Sequence, residues 1–133
     1  MTRARVDTLS REVIGAAIEV HRGLGPGLLE SAYEVCLCHE LASRSIAFQR
    51  QAPLPIHYKE VNLDCGYRID VLVEDCLLIE LKSVERFDPI HEAQVLTYLK
   101  LSNLWLGLLI NFNVKMLSQG IKRLVNGTIK DSL

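Results

Sequence analysis

No run of apolar residues in this 133-residue chain reaches the ~18 that a membrane-spanning helix needs. The longest candidate, LSNLWLGLLINF, is broken by Ser102, Asn103 and Gly107 and reads as a buried strand. The first residues, MTRARVDTLSREV, lack the apolar stretch and small-residue cleavage site of a signal peptide, so a cytoplasmic protein is expected. Long linkers and internal repeats are missing as well, which leaves residues 1–133 as one domain around one core. Hydrophobic residues make up 49% of the chain, a composition of ordered globular proteins rather than disordered ones.

An excess of charge of either sign is also lacking: 15 basic side chains stand against 16 acidic ones, a net charge of −1. A protein that grips nucleic acid by phosphate neutralisation alone would be more basic. Any such binding must therefore come from a local patch or be assisted by a partner. The four cysteines, Cys36, Cys38, Cys65 and Cys76, do not form a zinc pattern. Cys36 and Cys38 fall on a predicted helix, where a spacing of two points side chains about 200° apart. Cys36 and His39 could share a helix face, but the ligand set is then incomplete. Buried, reduced thiols are the expectation.

What is present is a clear change of period along the chain. Residues 8–22 carry Leu9, Val13, Ala16, Ala17 and Val20 at helical spacing, with Asp7 or Thr8 as N-cap. The segment GLGPG, residues 23–27, cannot continue that helix. A second helix is predicted over 28–43, with Leu29, Tyr33, Cys36, Leu37 and Leu41 on its apolar face. Short strands are then expected at 46–51 and 56–60, flanking Pro53 and Pro55. Two alternating strands follow, Tyr67–Val73 and Leu77–Lys82. Asp88-Pro89 opens a third helix to about Leu101, since Asp caps and Pro suits the first helical position. Residues 105–112 form a buried strand and 120–125 a short last one. The order predicts an α/β fold, a small mixed sheet flanked by helices, with a crossover joining the strand after the third helix.

Three charged residues interrupt the two alternating strands: Asp70, Glu80 and Lys82. Whether they meet depends on parity. A two-residue hairpin loop would send Asp70 and Glu80 to opposite faces. A three-residue loop, Glu74–Cys76, pairs Val73 with Leu77 and sets Asp70 opposite Glu80, Cβ atoms roughly 5 Å apart. Glu-Asp is poor two-residue hairpin chemistry. The three-residue loop also gathers Tyr67, Ile69, Val71, Val73, Leu77, Ile79 and Leu81 on one face, with Arg68, Asp70, Glu80 and Lys82 on the other. Facing carboxylates repel unless a proton or cation lies between them. Such oxygen donors suit Mg²⁺ or Mn²⁺. Lys82 can acidify a water or offset charge on a phosphate. An ordinary ion pair on a half-exposed strand would give the same Glu-x-Lys.

The spacing Asp70-x9-Glu80-x-Lys82 resembles the metal-binding signature of the PD-(D/E)XK nuclease superfamily. Gln94-x3-Tyr98 in AQVLTYLK resembles the QxxxY element of its RecB-like branch. GPGLLESAY, with Gly27, Glu30 and Tyr33, is similar to the motif of the GxxExxY protein family, as are the EVHRGLGPG, ELKS and LLINF segments. Ile69 stands where the name-giving motif has proline.

The resemblance covers roughly residues 9–125. It implies a restriction-endonuclease-like core and metal-dependent hydrolysis of phosphodiester bonds in nucleic acid, DNA being the commoner substrate. Asp70, Glu80 and the Leu81 carbonyl would ligate Mg²⁺ or Mn²⁺, and Glu30 would approach from the second helix. Glu30 could equally be a first-turn carboxylate favoured by the helix dipole. Gln94 and Tyr98, four apart on one helix face, would support the phosphate or orient the water, or merely cap a core-facing helix. Tyr33 reads as core, and His21 as a base suited to a helix C-terminus. A homodimer or an unknown protein partner would enlarge the small surface, and no membrane is implied. The alternative function is a non-catalytic module that binds nucleic acid or protein on the same fold.

Because the cysteines are read as reduced, thiol titration of the denatured, unreduced protein is expected to find four free thiols. Fewer would show a bridge.

Overall fold

A computed structural model describes residues 1–129. Helix α1 (Arg3–Leu24) begins earlier than the apolar periodicity alone indicates, because Thr2 is the N-cap and its hydroxyl accepts the Arg5 N–H at 3.2 Å. Asp7 and Thr8 lie inside the helix. Gly25 ends it at φ 71, a left-handed conformation that glycine adopts without steric cost. Helix α2 (Glu30–Ser43) starts after the GPG loop. The Tyr33 hydroxyl, buried in that helix, donates to the Gly25 carbonyl at 2.6 Å and accepts the Leu28 N–H at 3.1 Å. Its ring stacks on Phe112 with centroids 4.4 Å apart. Tyr33 is therefore core and loop anchor at once.

The strands are β1 (Phe48–Pro53), β2 (Ile56–Tyr58), β3 (Val61–Leu63), β4 (Arg68–Val73), β5 (Leu77–Lys82), β6 (Leu106–Asn111) and β7 (Ile121–Val125). Five of them form a mixed sheet in the order β1-β4-β5-β6-β7, in which only β5 and β6 run parallel. Helix α3 (Pro89–Ser102) makes the crossover between those two, as parallel pairing requires. Strands β2 and β3 form a separate antiparallel hairpin. Sequence periodicity misses β3, whose three residues are all exposed and carry no alternation.

The sheet separates two apolar clusters. On one side α1 and α2 pack against Val71, Val73, Leu77, Ile79 and Leu81 of β4 and β5 and against Leu106, Leu108 and Ile110 of β6. On the other, Val95, Tyr98 and Leu99 of α3 pack on Leu78 and Leu109. Both faces being covered, β6 is buried at every position, which explains its unbroken apolar sequence. No described helix is long and apolar enough to cross a membrane.

The β4–β5 register is Val71↔Ile79, Leu72↔Leu78 and Val73↔Leu77, as a three-residue loop demands. Burial of the apolar side chains sets it, not turn propensity. Glu74 and Asp75 do adopt the left-handed pair of a tight hairpin turn, φ 46 and 56, closed by the Cys76 N–H on the Val73 carbonyl at 3.0 Å. Cys76 is then the extra residue. One expectation fails at the far end of β4: Ile69 belongs to the α3-side cluster and Tyr67 is exposed, so neither joins the face of Val71 and Val73. The paired ladder stops at Val71↔Ile79, and the chain beyond it is free to turn.

Gly107 of β6 lies under α3, where an added Cβ would sit 2.9 Å from Val95 Cγ1. Gly107→Val has better strand propensity than glycine. It is nevertheless expected to lower stability by about 1–3 kcal/mol through overpacking, read as a drop in the urea midpoint at unchanged m. A stabilised variant would refute the close packing.

Candidate active site

Beyond Val71↔Ile79 the strands β4 and β5 part, and side chains take over from the backbone ladder. The Asp70 N–H donates to Glu80 Oε1 at 3.2 Å, and the Leu81 N–H donates to Asp70 Oδ2 at 2.9 Å. Each strand's carboxyl thus satisfies an amide of the other. Glu80 is 5% exposed. Its pKa is pushed up to about 9, first by burial, then by the charge of Asp70 and the hydrogen bond with it. Without a cation, Glu80 keeps its proton at neutral pH.

Lys82, two residues on, is half-buried and makes no ion pair with any described residue. Its charge contributes only the smallest of the effects on Glu80, a lowering. A simple Glu80–Lys82 ion pair is therefore not what holds this strand. Tyr98 approaches from α3. Its phenol pKa is raised by burial and then by Glu80, so it keeps its proton beside the carboxyls. Gln94 Nε2 donates to the Tyr98 hydroxyl at 3.3 Å, fixing the i,i+4 pair on that side.

From α2, Glu30 and Glu34 occupy one helix face, four residues apart. They share a cavity of about 190 Å³ with Ser31, Gln51, Asp70 and Leu81. Glu30 is exposed and accepts the Ser83 N–H at 3.3 Å, while Ser83 Oγ donates to the Leu28 carbonyl at 2.6 Å. The helix start, the GPG loop and the end of β5 are thereby tied together. Behind Ser83, buried Asn111 brackets Val84: its amide donates to the Val84 carbonyl at 2.9 Å and its oxygen accepts the Val84 N–H at 3.1 Å.

Glu34 was not singled out by sequence. It is buried and accepts Arg50 Nε and Gln51 Nε2, each at 2.6 Å. Gln51 Nε2 also reaches Asp70 Oδ1 at 3.4 Å, so one amide bridges the two acids. Gln51 holds a left-handed φ of 53, uncommon and strained for a residue with a Cβ. The Glu30–Glu34 spacing was a legible signal. The Arg50 and Gln51 partners were not, because they arise from β1 lying beside β4. His21 is a structural residue: it is buried and its Nε2 donates to the Val114 carbonyl at 2.7 Å. All four cysteines are free thiols, with Cys38 raised to about 11, chiefly by burial.

A family model for the PD-(D/E)XK nuclease superfamily matches residues 7–124. The chain belongs to this superfamily. Its members are generally nucleases, and the five-stranded mixed sheet between helices is consistent with their restriction-endonuclease-like fold. No curated protein and no solved structure gives a match.

PD-(D/E)XK nucleases typically use divalent metals. The donor chemistry fits one: hard oxygens, and a carboxyl pair whose repulsion is relieved by a proton that a cation could replace. As the side chains stand, no three of His, Cys, Asp and Glu gather into a ligand cluster among the described residues. A cation would have to draw Glu30 from Ser83.

The folded state holds the Glu80 proton to about pH 9, whereas the ordinary value is 4.5. Stability from this group is complete below about 4.5 and is lost as pH rises toward about 9, by up to about 1.4 kcal/mol per pH unit. Urea midpoints in EDTA should fall more steeply with pH for the parent than for Glu80→Gln. Parallel curves would contradict the retained proton.

Proposed function

We propose that the chain is a cytoplasmic metal-dependent nuclease of GxxExxY type, with a RecB-like QxxxY element, that hydrolyses phosphodiester bonds of DNA. The observation that carries this reading is buried Glu80 set against half-buried Asp70, each carboxyl accepting an amide of the other strand, two residues from a lysine with no ion-pair partner among the described residues. A structural ion pair would have used Lys82 to neutralise Glu80.

In this reading Asp70, Glu80, Glu30 and the Leu81 carbonyl would hold Mg²⁺ or Mn²⁺. When bound, the ion would supply positive charge that acidifies water and offsets charge on the phosphate. The chain's own residues do the rest. Asp70 is aimed by the Leu81 N–H and Gln51, and Glu80 by the Asp70 N–H. Lys82 places an ammonium beside the phosphate, where charge grows as water attacks in line. Tyr98, which keeps its proton, donates a hydrogen bond, and Gln94 holds its hydroxyl in place. The near-neutral surface favours a homodimer or a protein partner in holding the nucleic acid.

Two substitutions separate the roles. Glu80→Gln is expected to fold and to be at least as stable as the parent in EDTA. It should lose the metal-dependent rise in melting temperature, which for the parent follows RT ln(1 + [L]/Kd), together with cleavage. Lys82→Ala should keep the metal-dependent rise but lose cleavage by about 100-fold or more, as when one charge-stabilising group is removed. A parent whose melting temperature ignores Mg²⁺ and Mn²⁺ and which cleaves no DNA would sink the nuclease reading.

A further inference from the structure

A cavity of about 530 Å³ lies on the α3 side, where Tyr98 approaches the carboxyl pair. Its walls include His91, Gln94, Thr97 and Tyr98 of α3, and Tyr67 and Ile56 from the segment around the β2–β3 hairpin. Gln94 and Tyr98 are thus common to the cavity and to the proposed reacting centre. An occupant of the cavity would lie against Gln94 and Tyr98, on the side of the carboxyl pair from which Tyr98 approaches.

The lining carries no Asp, Glu, Lys or Arg, so it offers an occupant no fixed countercharge. It offers instead aromatic surface and hydrogen-bonding groups. Tyr67 is 45% exposed and meets Tyr98 edge-on, rings 6.3 Å apart, so ring surface remains available for stacking. His91 Nδ1 accepts the Asp88 N–H at 3.1 Å, which leaves Nε2 as the protonated donor. The Gln94 carbonyl oxygen and the Thr97 hydroxyl make no hydrogen bond with a described residue. A flat group with donors and acceptors on its edge matches the aromatic surface and the hydrogen-bonding groups together.

Resting on the nuclease reading, we infer that this cavity receives one unstacked nucleobase of the strand being cut, so that single-stranded nucleic acid is preferred to duplex. A base paired in a duplex cannot enter without being unstacked, which costs free energy, whereas a single strand offers its bases freely. The stack is supplied by Tyr67, three residues before Asp70 on the same chain segment. The strand that seats its base there presents its adjacent phosphate to Asp70 and Glu80.

The test uses the whole chain in EDTA at fixed salt. Fluorescence anisotropy measures its affinity for a short single strand, the same strand with every base replaced by an abasic spacer, and a blunt duplex. The base-bearing strand should bind about 10-fold tighter than either of the others, the scale of one stacked base. Tyr67→Ala should erase that preference and Tyr67→Phe keep it. Ala93 is an exposed helical position on the same wall; Ala93→Trp should block the cavity and also erase the preference, with an unchanged melting temperature showing that the fold survives. A parent that binds the three ligands equally, or none of them, overturns the inference, as does a preference that survives both Tyr67→Ala and Ala93→Trp. The two readings fail differently. Metal-dependent cleavage with base-indifferent binding overturns the base site alone. Base-dependent binding without any metal-dependent cleavage supports the base site and overturns hydrolysis alone.

Discussion

Where β4 and β5 part, the Asp70 amide reaches the Glu80 carboxyl and the Leu81 amide reaches the Asp70 carboxyl. This crossed exchange supplies donors to a buried acid, Glu80, and a half-buried one, Asp70, between two mostly apolar strands. Ordinary ladder bonds would have consumed those amides and left the carboxyls without donors, a costly state for buried acids. With the ladder halted at Val71↔Ile79, the fork opens toward α2 on one side and α3 on the other. The remaining polar residues are arranged around that opening.

The supports come from distant parts of the chain. Tyr33 anchors the GPG loop through Gly25 and Leu28, and so fixes where α2 begins and where Glu30 stands. Ser83 ties that loop to the end of β5, and Asn111 holds Val84 just beyond. Glu34 and Gln51 brace Asp70 from the α2 side, with Gln51 kept in a left-handed backbone conformation. A strained residue whose side chain bridges two acids is a local departure from what the backbone prefers, of the kind that concentrates at functional sites.

The sequence was most informative where burial was strongest. Period-two alternation identified β4, β5 and their register from Val71↔Ile79 to Val73↔Leu77, because a slip of one residue would move every apolar side chain to the wrong face. The expected direct pairing of Asp70 with Glu80 is not formed. The Asp88-Pro89 start of α3 and the GPG stop of α1 followed from local backbone chemistry. Features decided by neighbours in space were not legible. Ile69 leaves the face of Val71 because the ladder ends before it, and Arg50 and Gln51 meet Glu34 because β1 is the partner of β4. The β2–β3 hairpin escaped because exposed three-residue strands carry no burial pattern. Thr2 was missed as a cap because the apolar stripe starts after the helix does.

The same fork sets stability against chemistry. A protonated Glu80 suits the metal-free fold, since it removes a buried charge beside Asp70. A phosphate-cleaving centre needs both acids ionised, and their repulsion then has to be met by positive charge from outside the pair. Lys82 is close enough to contribute but is half-buried and only weakly coupled to Glu80, so one lysine does not suffice. In the nuclease reading proposed above, a cation would supply the rest. Tyr98 fits this division, because a phenol that keeps its proton beside ionised acids remains a donor throughout. It lines the α3-side cavity and faces the charge of Glu80, so it links that cavity to the carboxyl pair.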